Sequence, residues 1–431
     1  MRAVGRLFIL GAVIVMAHTP GVVRGQPATA GIDLTLEELV ARAITENPDL
    51  HAARAEVDAA MGRVQQAGLR PNPMLDLGGQ KALGPDNNVM IGVTVPLDRG
   101  GRKEARVAVA ERELQMKRAQ VLDRERRLAA EVRLKAGEYF AGTRNLAVTD
   151  ELLRANRDAL RLVQERVRQG ATPPLEENLM LVEVNRLEAA REVQASRIEV
   201  AALQLKAMAG MAPDVAFSLR GELAPPRSVP ERTEALRRTL EARPDLVASR
   251  AEAATSGARI RKEQAEGRWD ASVNVGYQRQ DFGFMLSGLT DSGATRPIQD
   301  VFHYFGAGVT ITLPVRNRNQ GNIAAAEAEA RAAERRLEFM ELMARQEGGA
   351  AFTQYEAAQR SLQIYERGVR DVARRNLDIV RRTYELGRTT LLDVIAEQRR
   401  YIEIENGYTE ALRQVYDAAV EIERAVGTPS R

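Results

Sequence analysis

The chain contains no cysteine and only three histidines, His18, His51 and His303. That excludes disulfides, thiolate metal sites and cysteine nucleophiles together, and leaves little for proton shuttling. Aromatic residues make up 4% of the 431 residues, with Trp269 the one tryptophan, so a single large compact core is not expected. The apolar run Leu7 to Ala17 falls short of the ~20 residues that a membrane-spanning helix needs. No group of His or carboxylate residues has metal-ligand spacing. No glycine fingerprint or paired nucleophile and base marks an enzyme. No catalytic residue, metal or cofactor is therefore expected, and the methionines, such as Met208 and Met211, read as core filler.

What is present is charge, 28% of residues, arranged in Ala/Glu/Arg/Leu tracts of the kind that build long coiled helices. Arg2 and Arg6 precede an apolar stretch and then small residues ending near Gly25, the order of a secretory signal, so residues 1–25 are expected to be removed on export. That removal takes away Arg2, Arg6 and Arg24 and no acid, so the formal charge of +3 falls to zero. A nucleic-acid partner is not implied.

The chain repeats itself. "NPDLHAARAE" (47–56) matches "RPDLVASRAE" (243–252). Pro96 and Pro314 each close a strand-like stretch. Beyond them Gly170 pairs with Gly387, Leu175 with Leu392, and Gly210 with Gly427. The expected organisation is a first repeat over 26–210, a linker over 211–232 and a second repeat over 233–431. Each repeat reads as helix, strand, strand, very long helix, turn, long helix. Thr35 and Glu38 form a capping box at the first helix, with Leu34 and Leu39 placed as its hydrophobic staple. Period-two alternation predicts strands at about 72–81, 88–97, 270–280 and 302–314, with 281–301 as a longer loop. Apolar sevens such as Leu146, Leu153, Leu160 and Val167, and proline-free runs over 102–168 and 320–385, predict helices on the order of 100 Å long.

The four strands have one lipid-like face and one small, polar face, and their length suits a tilted crossing of a bilayer. Four strands cannot close, and open edges cannot stand in hydrocarbon. Subunits must pool strands, and a homotrimer supplies twelve, enough to enclose a watery lumen in outer-membrane lipid.

The duplicated unit, "GVTVPLDRGGRKEA" and "GVTITLPVRNRNQGNIAAA" at the strand exits, and "RTYELGRTTLLDV" before the return helix resemble TolC-type outer-membrane efflux proteins over essentially all of 33–428. The "PVRNRNQGNI" form is most similar to the heavy-metal branch, the cobalt–zinc–cadmium and copper/silver exporters. The resemblance implies a mainly α protein with a transmembrane β-barrel: a trimeric, twelve-stranded barrel continued by a periplasmic α-helical barrel. It further implies docking to a periplasmic adaptor and an inner-membrane pump of the proton-driven RND type. Many relatives carry a lipidated N-terminal cysteine; this chain has none, so the barrel is expected to hold it.

Two tips are expected, at about 168–176 and 385–393. Gly170 and Gly387 fit tight turns. By resemblance the tips meet the adaptor, through Arg382, Leu386 and Gly387 in the second repeat; in the first, Glu165 and Gln169 replace the Arg and Leu around Gly170. Six residues past each glycine stands an acid, Glu176 and Asp393. The family gates with a tyrosine, here Tyr384, bonded to the acid of a neighbouring hairpin. A plainer reading makes both acids helix-start residues. Trp269, Tyr277, Tyr304 and Phe305 suit either a lipid interface or packing between strands. The expected function is the outer-membrane duct of a tripartite efflux system for heavy-metal cations. Drug efflux, type I protein secretion and a periplasmic coiled-coil adaptor are the alternatives.

Overall fold

A computed structural model describes residues 32–83, 86–224 and 229–427. The signal segment and residues 225–228 of the linker lie outside the described residues. A short strand, β1 (Ile32–Thr35), leads into α1 (Leu36–Glu46) and α2 (Pro48–Ala67). The Thr35/Glu38 capping box is formed, and the break between the two helices falls at Asn47, whose side chain caps the second while Pro48 takes its first position. Two strands follow, β2 (Met74–Lys81) and β3 (Asn87–Leu97), then α3 (Arg102–Arg168) and α4 (Pro174–Met208) as an antiparallel hairpin. The 67 residues of α3 give a rod about 100 Å long. A second short strand, β4 (Phe217–Arg220), lies parallel to β1 and joins the start of the first repeat to the linker. The second repeat runs through α5 (Arg232–Ala242), α6 (Pro244–Glu266), β5 (Asp270–Leu289), β6 (Thr295–Thr312), α7 (Gln320–Ile364), α8 (Arg370–Glu385) and α9 (Leu391–Val426).

Duplication is visible down to single contacts. Arg54 donates to the carbonyl of Ile44 and to Glu125, and Arg250, at the matching place, donates to the carbonyl of Leu240 and to Glu341. Each return helix ends on a left-handed glycine pressed against the helix pair. A Cβ on Gly210 would lie 2.4 Å from the Glu46 carbonyl oxygen, and one on Gly427 would lie 3.0 Å from the Arg243 Cα. Both positions therefore need glycine for its φ and for its missing side chain.

The core sits where the two hairpins meet the short strands. Leu39, Val132, Leu205, Leu412 and Val415 are buried together there, and each large side chain contributes about 1.5–3 kcal/mol by leaving water. Toward the tips the packing thins to small clusters around Leu153 and Leu187 and around Val163 and Leu391.

Two stretches differ from the sequence reading. Residues 281–301 are not a loop: β5 and β6 continue through them to a turn around 290–294. Alternation is hidden there because the register slips between Gly283 and Ser287, and because Gly283, Gly288 and Pro297 interrupt the pattern. Nor is 320–385 one helix. A π-helical turn, Tyr365–Val369, separates α7 from α8, with Gly368 at φ 133. The Tyr365 hydroxyl there packs against Gly407, whose Cβ would stand 2.5 Å from it, and Arg370 just beyond pairs with buried Glu405 at 3.0 Å.

β2, β3, β5 and β6 form one antiparallel sheet in that order. On one face the rows Leu77, Ile91, Tyr277, Phe305 and Leu75, Val93, Val275, Ala307 are in register; on the other stand Asp76, Gly92, Gly276, Gly306. Within the chain β2 and β6 each have an unpaired edge. Pro96 is tolerated inside β3 because β2 pairs no further than Thr94 in that direction, so one side of the strand needs no donor there.

Candidate hairpin-tip site

Both tips use one backbone device. α3 ends with the Ala171 N–H bonded to the Arg166 carbonyl at 2.8 Å and the Gly170 N–H to that of Val167 at 3.0 Å. α8 ends with the Arg388 N–H on the Thr383 carbonyl at 3.0 Å and the Gly387 N–H on that of Tyr384 at 2.8 Å. This is the Schellman closure, and it needs a left-handed residue; Gly170 and Gly387 both have φ 68. Open space surrounds both, so backbone conformation alone selects glycine.

Three residues into each return helix stands an acid, Glu176 in α4 and Asp393 in α9, and the surroundings differ. Asp393 is engaged by its own turn. Its Oδ2 accepts from the Thr390 hydroxyl at 2.7 Å, the Thr389 hydroxyl at 2.7 Å and the Thr390 N–H at 3.0 Å, closing a capping box. Those hydroxyls and that N–H hold its carboxyl down at about 2. In α4 the cap position is Pro173, which offers no hydroxyl. Glu176 is turned instead toward the other hairpin and accepts from the Tyr384 hydroxyl at 2.7 Å. Burial, reinforced by the carboxylate, pushes Tyr384 up to about 12, so it stays a donor at any physiological pH. Tyr384 also packs on Val163, Met180, Leu391 and Ile395, so the two tips of one chain share a small apolar plug.

Tyr384 and Glu176 are thus brought together, while Asp393 is occupied at its own helix start. Leu386 is 70% exposed at the second turn, and Leu175 and Leu392 are exposed beside the acids. Arg382 is exposed and contributes its carbonyl to the Leu386 N–H. Among the described residues no group of three or more carboxylates and histidines could hold a metal ion, and no helix is long and apolar enough to cross a membrane.

Sequence reasoning missed the tie higher on the shaft. Glu183 of α4, fully buried, accepts from Arg186 at 2.5 Å and from Arg399 of α9 at 2.9 Å. Burial opposes its charge, yet the two guanidinium groups prevail and its carboxyl lies below the ordinary range. The signal lay in an acid on the apolar stripe of α4, two turns beyond Glu176. At the strand exits the mates also differ. Arg102 binds Asp270 at 2.8 Å and the Arg268 carbonyl at 2.8 Å, whereas past Pro314 it is left-handed Asn319 that donates to the Glu263 carbonyl and carboxylate.

The family described as outer membrane efflux protein matches residues 39–211 and 235–428. The cobalt-zinc-cadmium resistance protein CzcC of Cupriavidus metallidurans is 27% identical over 93% of this chain and 92% of its own length. A membrane protein of Pseudomonas aeruginosa superposes with a TM-score of 0.73 at 22% identity, covering 92% of this chain and 91% of that one. CusC does so with a TM-score of 0.71 at 16% identity, over 94% and 96%. The open MtrE channel of Neisseria gonorrhoeae gives 0.68 at 17% identity, over 91% and 88%.

Proposed function

The chain belongs to the outer membrane efflux protein family, whose members are passive channels rather than enzymes, and we propose that it is the outer-membrane duct of a tripartite heavy-metal efflux system. One observation carries the channel reading: a four-stranded sheet with an apolar face, a small and polar face and two unpaired edges is joined directly to helices about 100 Å long. Such a sheet is stable in a bilayer only when its edges meet those of other copies. Three copies give a barrel of twelve strands in which β6 of one meets β2 of the next, and the helices extend from it as a periplasmic tube. The order of the described elements supports repeats at 26–210 and 233–431 and a linker at 211–232 that carries β4, while the signal segment at 1–25 is read from its charged, apolar and small-residue order.

A periplasmic adaptor and an inner-membrane pump supply the energy and choose the solute. The exposed turn at Arg382, Leu386 and Gly387 is the stronger adaptor contact, and the Gly170 turn is the weaker. Tyr384 and Glu176 act as a latch between the two hairpins of each subunit, with Asp393 adding charge around the narrow end. Heavy-metal cations are the preferred solutes because the curated relative is a cobalt-zinc-cadmium resistance protein. Deleting the gene should lower the tolerated concentration of zinc, cobalt and cadmium and leave tolerance of hydrophobic drugs unchanged. Unaltered metal tolerance together with drug hypersensitivity would replace this reading with drug efflux.

A further inference from the structure

The face that carries apolar side chains changes over along β5 and β6. Through the part of the sheet paired with β3, one face bears Val273, Val275 and Tyr277 opposite Val309, Ala307 and Phe305, and the other bears Asn274 and Gly276 opposite Gly308 and Gly306. At the Tyr277 hydroxyl, 2.7 Å from His303 Nδ1, the apolar face ends, and its next residues are Arg279 and Asp281, paired with each other at 3.0 Å. A tyrosine at such a border suits the membrane–water interface, where its amphipathic ring sits at headgroup level. Beyond it the polar face becomes aromatic. Tyr304 and Phe302 follow Gly306 on β6, and Phe282 and Phe284 follow Gln280 on β5, with ring centroids 5.4–6.5 Å apart along the chain of contacts. Asp300, on the same face, turns back onto its own strand at the Val301 N–H.

This outer hairpin has outgrown its neighbours. β2 and β3 pair only to the level of Asp281, and Asp86, just before β3, accepts from the Gly283 N–H at 2.7 Å; among the described residues, 284–289 and 295–299 project beyond them. Three of these residues, Phe284 to Leu286, face a single one, Ile298, in a bulge that leaves Met285 fully exposed. Pro297 on β6 blunts the free edge against strand addition, so the surface left to be covered is the aromatic face.

We propose that the three outer hairpins of a trimer lean across the mouth and cover these faces against one another, forming an extracellular closure separate from the periplasmic tips. This rests on the trimeric barrel proposed above. The occupant is a second copy because the aromatic face continues the lumen face, and threefold symmetry turns all three lumen faces toward one axis. Length permits it. Twelve tilted strands about 4.8 Å apart enclose a radius of about 12 Å, and the six rungs of the outer hairpin reach about 20 Å, more than enough to meet at the centre.

A chain without cysteine makes the test direct. Thr310→Cys places a thiol on the lumen face below the aromatic residues. On intact cells a small, charged maleimide should label it whether or not Phe282→Ser, Phe284→Ser and Phe302→Ser are also present. A maleimide carried on a bulky polymer should label it at least about tenfold faster when the three serines are present. Equal polymer labelling in both backgrounds, with trimers intact, overturns the closure and leaves the barrel standing. Failure of the small reagent to label Thr310→Cys in both backgrounds, with trimers intact, overturns the barrel and the closure together. If the triple variant does not accumulate, Leu286→Cys, two residues on from Phe284, decides alone: oxidation should link copies through a disulfide, and an Arg279→Cys control at the lipid border should not. Absence of the Leu286→Cys link overturns the proposal.

Discussion

The two hairpin tips share a backbone and differ in side chains. Both close on a glycine at φ 68, with matching carbonyl bonds, and both place an acid three residues into the return helix. In the second tip Thr390 takes that acid into a cap; in the first, Pro173 cannot, and Glu176 is left to reach Tyr384 on the other hairpin. The residue of the first repeat that matches Tyr384 is Val167, which packs and donates nothing. Duplication thus preserved the turn, while two substitutions made one tip a self-contained cap and joined the other to its neighbour.

The comparison breaks most severely at the glycines. Gly387→Val and Gly170→Val force the same left-handed strain, which a β-branched residue tolerates least. If the second tip is the stronger adaptor contact, Gly387→Val abolishes metal resistance at normal trimer abundance, while Gly170→Val lowers it less. Minimum inhibitory concentrations alongside immunoblots of membrane fractions check this, and equal losses would erase the distinction between tips.

Next in size is Glu183, which bridges the shafts. Glu183→Ala leaves Arg186 and Arg399 without their shared acceptor; both are partly exposed, so the loss should be about 2 kcal/mol. Denaturant melts of the purified protein should show a lower midpoint with an unchanged slope.

Tyr384→Phe removes a single hydrogen bond to a carboxylate, about 1.5 kcal/mol at a half-buried site. Planar-bilayer recordings should show raised resting conductance. Val167→Tyr, its counterpart, should have no such effect because Asp393 is already engaged. Because the Tyr384 pKa is raised to about 12, the latch holds below the ordinary tyrosine pKa and is lost only as pH climbs through about 12.

The smallest effect belongs to Asp393. Its folded pKa is depressed to about 2, so the stability it adds is present above the ordinary aspartate range and fades as pH falls toward 2. Asp393→Asn should quicken amide exchange at the start of α9 at pH 7, where the parent is protected, and the two should converge at pH 2.

The parts legible from the sequence were those fixed by local chemistry. Thr35 and Glu38 announce a cap, Gly170 and Gly387 announce turns, and sevens of apolar residues announce α3 and α9. What stayed hidden depends on partners far along the chain. β1 and β4 are four residues each and exist because they pair across the linker. The π-helical turn lies in sequence with good helix propensity, and Gly368 alone hints at it; its position is set by Tyr365 against Gly407 on α9. The Tyr384–Glu176 bond joins residues 208 positions apart. Its geometry could not be read from either hairpin alone, since the family resemblance pointed only to an acid on a neighbouring hairpin.

The central claim, that one chain supplies a third of a barrel, is tested most directly by the mass of the detergent-solubilised protein. Light scattering coupled to size exclusion, corrected for bound detergent, should give three times the mass of one mature chain, with the four strands protected from exchange. A folded, stable monomer with the edges of β2 and β6 equally protected would contradict it.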